Sequence, residues 1–68
     1  MSNTFKMVTL IGTSPESYET AIDNALSDAS VSLRNLSWFE VLEIRGAIEK
    51  DAVKEFQVTL KVGFSLDA

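Results

Sequence analysis

Three side chains in the second half of the sequence have the chemistry to recognise a flat ligand. Trp38, the single tryptophan, offers an indole face for stacking, worth about 0.5–1.5 kcal/mol beyond area burial. Gln57 carries an amide that both donates and accepts, as a heterocycle with alternating carbonyl and N–H groups requires. Arg45 could hold a phosphate with two hydrogen bonds. Each also has a structural interpretation: Trp38 as core or interface, Gln57 as ordinary surface, and Arg45 as partner of a carboxylate. These alternatives stay open on the residues alone.

The sequence lacks the residues that most catalytic and metal sites require. The sequence has no histidine, no cysteine, no glycine-rich phosphate loop and no serine paired with a base. A carboxylate pair would have to come from Glu40, Glu43 and Glu55, and in a regular strand Glu40 and Glu43 point to opposite faces. Without histidine or cysteine, a structural zinc site is close to excluded. The sequence therefore predicts a protein that is not an enzyme and has no metal-ligating residues.

Length and composition limit the possible partners, the location and the way in which the fold is stabilised. Six Lys+Arg against ten Asp+Glu give 68 residues a formal net charge of −4, which disfavours nucleic acid and anionic membranes as partners. No apolar run approaches the roughly 18 residues of a spanning helix, and no secretory leader is recognisable, so the expected location is the cytoplasm. We expect one domain over 1–68. Because a core this small stabilises marginally and no disulfide is available, oligomerisation is the expected support.

The elements that must position these side chains follow from local patterns. The first strand is predicted over 3–12, and a helix of about 20 residues follows, capped by Ser14 with Pro15 in its first turn and ending near Arg34 and Asn35. Two further strands, 37–48 and 53–66, are joined by a polar hairpin connection at 49–52. The predicted class is α+β, in the order β-α-β-β, with the last strand in the centre of a three-stranded antiparallel sheet that wraps around the helix.

The apolar residues exceed what one helix can cover. In the last strand, one face alternates cleanly and is predicted to pack on the helix: Phe56, Val58, Leu60, Val62, Phe64 and Leu66. Apolar side chains of the other two strands then face away from the helix, which predicts an obligate homo-oligomer. A regular strand places Arg45 on the face opposite Trp38. A ligand shared by the two residues therefore requires a bulge, strong twist or two subunits.

Three segments carry a family resemblance: VTLIGTSPES at 8–17, LSWFEVLEIRG at 36–46 and VKEFQVTLKVGFSL at 53–66. Together they resemble the dodecins, small flavin-binding proteins of bacteria and archaea. The resemblance implies a hollow homododecamer in which paired flavins stack between tryptophans of two subunits. Trp38 and Gln57 match the stacking and edge-recognition residues. Arg45 matches an arginine near the flavin side chain or its phosphate, and Ser37 lies where backbone contact to the flavin is expected.

The implied function is flavin sequestration and storage, with the photochemistry of the flavin quenched by the indole. The implied cofactor is FMN in preference to riboflavin. Two hypotheses compete with this function: a structural or interaction module that oligomerises through its apolar sheet without a ligand, and a flavin-dependent enzyme. The sequence departs from many bacterial relatives at Ser65, where they carry an arginine, which puts phosphate recognition in question. Coenzyme A, which some relatives bind through basic residues, is not expected here because the helix offers Asp28 with only Arg34 nearby.

Overall fold

The computed structural model describes residues 3–67 as a three-stranded antiparallel sheet with one helix on one of its faces. The elements are β1 (Phe5–Ser14), α1 (Tyr18–Ser32), β2 (Leu36–Glu49) and β3 (Ala52–Ser65). The spatial order is β1-β3-β2, so β3 is central. This confirms the predicted order of elements and the α+β class. Residues 1, 2 and 68 of the expected domain lie outside the described residues.

The core lies between α1 and the central strand. Three alanines at four-residue spacing form the buried stripe of the helix: Ala21, Ala25 and Ala29. Opposite them, three predicted core positions of β3 are fully buried: Val58, Leu60 and Val62. Small side chains let the helix approach β1 closely, since a Cβ at Gly12 would overlap the carbonyl oxygen of Ala21.

The helix begins later than the sequence suggested. Its N-cap is Ser17, whose Oγ accepts a hydrogen bond from the Thr20 amide at 3.0 Å. Ser14, the predicted N-cap, instead ends β1, where it pairs with Phe56 and is buried. Its Oγ accepts from the Glu16 amide at 3.0 Å. Both serines can cap a helix, and the pairing of Ser14 with the central strand decides between them.

The helix also ends earlier than predicted, at Ser32 instead of Arg34 and Asn35. Its 15 residues span about 22 Å instead of the predicted 30 Å. Asn35 does adopt a left-handed conformation, with φ 60, but in the connection to β2. There its carbonyl accepts from the Ser65 amide at 3.1 Å, and its Nδ2 donates to the Asp67 carbonyl at 2.9 Å. Asn35 thus ties the start of β2 to the end of β3.

The predicted hairpin between β2 and β3 is confirmed. Lys50 and Asp51 both have positive φ, 54 and 64, as the two central residues of a type I′ turn require. The turn therefore leaves fourteen residues in each of the two strands.

Large apolar side chains are exposed on both faces of the sheet. On the face away from α1, β1 exposes Phe5, Met7 and Ile11. On the helix side, α1 packs mainly on β1 and β3, so β2 exposes Phe39, Val41 and Ile44. The predicted surplus of apolar surface is therefore present. No helix within residues 3–67 is long and apolar enough to cross a membrane.

Candidate functional site

The face of the sheet opposite α1, called the outer face below, carries the three predicted recognition side chains. Trp38 pairs with Gly63, and Arg45 pairs with Gln57. Residues directly opposite each other in an antiparallel pair share a face. Gly63 and Gln57 share the outer face because they alternate with the buried residues of β3. Trp38, Arg45 and Gln57 therefore all lie on it.

A β-bulge in β2 makes this arrangement possible. Val41 pairs with Leu60 and Glu43 with Thr59, so Leu42 is an extra residue without a partner. Without it, the seven-residue spacing would place Trp38 and Arg45 on opposite faces. The bulge is thus one of the three solutions that the sequence left open. The run VLEI gives no signal for it, because a bulge is defined by the pairing between strands.

The Trp38 end of the outer face is an aromatic platform. The six-membered ring of the indole lies over Gly63, where a Cβ would overlap its atoms Cε2, Cζ2 and Cη2. The Phe5 ring meets the indole edge-to-face, with centroids 5.0 Å apart and planes at 62°. Trp38 is nevertheless 43% exposed. The indole is therefore braced from below and from one side while much of it stays open to a ligand.

Sequence reasoning did not identify Phe5 or Gly63 as part of this platform. For Gly63 a signal existed, since a glycine inside a strand often marks a close approach to the backbone. No sequence signal identified Phe5, because Trp38, which it contacts, is 33 positions away in sequence and lies on a different strand.

The Gln57 end of the outer face is a polar network. Arg45 Nε donates to Gln57 Oε1 at 2.7 Å, and Gln57 Nε2 donates to Glu55 Oε1 at 2.9 Å. Arg45 also forms an ion pair with Glu43, Nη1 to Oε1 at 3.5 Å. That pair is about half exposed, so its own contribution to stability is about 0–1 kcal/mol. The value of the network lies in the orientation that it gives the amide.

The two ends are well separated within one chain. Gly63 and Gln57 lie six residues apart on β3, about 20 Å along the strand. The structure brings Arg45 and Gln57 together and leaves Trp38 at the other end. Ser37 lies beside Trp38, exposed, with its Oγ donating to the Asn35 carbonyl at 3.0 Å. One chain therefore does not unite the four predicted site residues.

Two shallow depressions flank the Trp38 end. One, of about 140 Å³, is bordered by Ser37, Trp38 and apolar side chains. The other, of about 340 Å³, is more polar and includes Ser65, Arg34 and Asp67. Position 65 thus has an arginine close by, although not at the place where many relatives carry one. Across residues 3–67, no three His, Cys, Asp or Glu side chains cluster closely enough to hold a metal ion.

Comparison with known proteins gives one consistent family. A family model described as Dodecin matches residues 4–67. A curated dodecin from Thermus thermophilus is 54% identical over 67 residues, covering 98% of this chain and 97% of that protein. A solved dodecin from Streptomyces davaonensis is 44% identical with a TM-score of 0.95, and the match covers 100% of both chains. A calcium dodecin from Mycobacterium tuberculosis, described as having a calcium-binding site, is 28% identical with a TM-score of 0.84, over 94% of this chain and 91% of that one.

Proposed function

The chain belongs to the dodecin family, and from that premise we propose that it sequesters and stores flavin, FMN or riboflavin, without catalysing a reaction. In this proposal twelve copies form a hollow homododecamer, and flavins stack in pairs between the Trp38 side chains of two neighbouring subunits. The observation that carries the proposal is the Trp38 indole, which is seated on Gly63 and still 43% exposed.

The residues present fit an isoalloxazine ring. A planar, largely apolar ring needs a flat surface that is held still, and Gly63 and Phe5 brace the indole in that way. The polar edge of the ring needs neighbouring donor and acceptor groups, which the Gln57 amide supplies. Ser37, next to Trp38, offers backbone groups at the rim of the platform.

The separation of the two ends supports a site made by two subunits. A ring stacked on Trp38 is too far from Gln57 of the same chain, because about 20 Å of strand lies between them. A second copy that crosses the first in the opposite direction would bring its own Gln57 beside this Trp38. The exposed Phe5 and Met7 at the platform, and Ile11 farther along β1, give such a copy an apolar surface to cover.

Storage and photoprotection follow from stacking. When bound, flavin supplies a photo-excitable ring, and an indole in contact with it can donate an electron to the excited ring and then take it back, which returns both groups to their ground states. Trp38 therefore serves as both the binding surface and the quencher. With one face of each ring on an indole and the other on the second flavin of the pair, little room is left for a substrate, which argues against a flavin-dependent enzyme.

One experiment tests assembly and ligand together: native mass and the absorbance spectrum of the purified protein. Twelve chains of 7.5 kDa give about 90 kDa, and we expect added riboflavin or FMN to bind with strong loss of its fluorescence. A colourless oligomer in which added flavin stays fluorescent would instead support the interaction module. Turnover of a reductant with bound flavin would support the enzyme.

A further inference from the structure

The Gln57 amide is held between two partners of opposite chemistry. Arg45 can only donate hydrogen bonds, and the Glu55 carboxylate can only accept them. Arg45 Nε donates to Oε1 of Gln57, and Nε2 of Gln57 donates to Glu55. A flipped amide would point its NH₂ group at the guanidinium and its oxygen at the carboxylate, so both hydrogen bonds would become repulsive contacts. The two neighbours therefore select one orientation.

This arrangement leaves Gln57 with one acceptor and one donor. An amide oxygen accepts two hydrogen bonds and an NH₂ group donates two. Arg45 and Glu55 each use one of these, so one lone pair of Oε1 and one proton of Nε2 have no hydrogen-bond partner among residues 3–67. Glu43 holds Arg45 in turn, through its ion pair at 3.5 Å.

The pyrimidine edge of a flavin presents a carbonyl, an N–H and a second carbonyl in a row. An amide of fixed orientation can pair the N–H with its oxygen and only one of the two carbonyls with its NH₂ group. The carbonyl that pairs with the NH₂ group determines the orientation of the ring in the site, and therefore the direction in which the flavin side chain points.

We propose that Arg45 and Glu55 are positioning residues that fix the Gln57 amide for the flavin edge, and that Arg45 acts through Gln57 and not by contact with a phosphate. The inference rests on the proposed flavin-binding function and refines it. It gives Arg45 a different role from the one that the family resemblance implied, and it adds Glu55, which the sequence did not single out as a binding residue.

A double-mutant cycle on the assembled protein tests this role. Arg45→Met is made in the parent and in Gln57→Ala, and each protein is titrated with riboflavin and with FMN by flavin fluorescence. We expect Arg45→Met to lower the affinity for both flavins about tenfold in the parent, because this is the scale of one charge-assisted hydrogen bond. In Gln57→Ala the same substitution should change affinity less than twofold, because the amide that it orients is gone.

Two further variants complete the test. Glu55→Met should lower the affinity for both flavins about as much as Arg45→Met does. Arg45→Lys should retain much of the parent affinity, because lysine still donates to Oε1. The matched controls are Lys54→Met and Glu49→Gln, which make the same charge changes at an ion pair elsewhere in the hairpin. They should leave both affinities within twofold.

Other outcomes would contradict the inference or the function on which it rests. A loss that is larger for FMN than for riboflavin, or one that persists in Gln57→Ala, would show that Arg45 contacts the ligand directly and would overturn the inference. So would an Arg45→Met variant that binds like the parent. If Gln57→Ala binds too weakly to titrate, the comparison of FMN with riboflavin decides alone. A parent protein that binds neither flavin would refute the proposed function itself.

Discussion

The outer face of the sheet has two ends that are built in different ways. At one end, Trp38 is held by packing: it lies on Gly63 and against the edge of Phe5, and none of these side chains carries a charge. At the other end, Gln57 is held by hydrogen bonds to charged side chains. The first end is suited to the face of a ring, and the second to its edge.

The difference shows why neither end is a complete site. Stacking depends on area and contact, so it tolerates many flat ligands, whereas hydrogen bonds to an edge distinguish between them. The two functions lie about 20 Å apart in one chain, on the same face because of the bulge at Leu42. A single ligand can use both only where two chains meet.

Removing the platform should have the largest effect. Trp38→Ala takes away the stacking surface, and we expect flavin affinity to fall about 100-fold, since burial of an aromatic face and its stacking together contribute about 3 kcal/mol. Flavin fluorescence should return at concentrations where the parent quenches it, while native mass is unchanged. Fluorescence titration and native mass measure the two effects separately.

Trp38→Phe is the matched control for this variant, because it keeps a flat ring but removes the indole as electron donor. Its affinity should fall less than that of Trp38→Ala, with weaker quenching of the flavin that remains bound. If Trp38→Ala instead dissociates the oligomer or unfolds the chain, at a cost of about 3–5 kcal/mol, the indole is structural core and the platform interpretation is wrong.

A smaller and more selective change tests how the platform is held. In Gly63→Ala the new methyl group would overlap the indole, so the ring has to leave its position. We expect flavin affinity to fall about tenfold and the tryptophan emission of the ligand-free protein to shift. Both readouts concern the Trp38 end alone, and the hydrogen bonds at Gln57 should be unaffected.

Gly46→Ala provides the comparison for Gly63→Ala on the same hairpin. A Cβ at Gly46 would lie 3.2 Å from the Glu55 carbonyl oxygen and far from the indole. Neither glycine has positive φ, so neither substitution forces an unfavourable φ on alanine, although the Glu55 carbonyl has to shift slightly in Gly46→Ala. Equal losses of flavin affinity in the two variants would mean that a general change in the hairpin, and not the seat of the indole, is responsible.

Much of the fold was predictable because its signals are local. The alternation in β3 identified Val58, Leu60 and Val62 as core, and the periodicity of the helix identified its buried alanines. The predicted start of α1 was wrong because two serines compete for the N-cap position. Sheet pairing, a long-range effect, draws Ser14 into β1 and leaves Ser17 to cap the helix.

The candidate site, like the fold, was predictable only where its signals are local. Residue types indicated Trp38, Gln57 and Arg45, and alternation alone puts Glu55 and Gln57 on one face. The contact between Arg45 and Gln57 was not predictable, because it depends on a register that changes at Leu42. The position of Trp38 over Gly63 depends on another register shift, between Leu36 and Trp38.

The smallest expected effect comes from adding a charge beside the aromatic platform. Ser65 pairs with Phe5 on the outer face, two residues from Gly63, so an arginine there would lie beside the platform. We expect Ser65→Arg to raise FMN affinity two- to fivefold at low salt and to leave riboflavin unchanged, since only FMN has a phosphate. The gain is modest because Arg34 already lies in the same depression. Titrations of both flavins at two salt concentrations measure it.

Ser65→Gln, which adds length without charge, is the control for this substitution. If it raises the affinity as much as arginine does, the gain comes from packing on Phe5 and not from the phosphate. A gain for FMN that vanishes at high salt would show that the added charge acts on the phosphate. It would also place the flavin side chain toward Ser65 and away from Arg45, the direction expected if Arg45 acts only through the Gln57 amide.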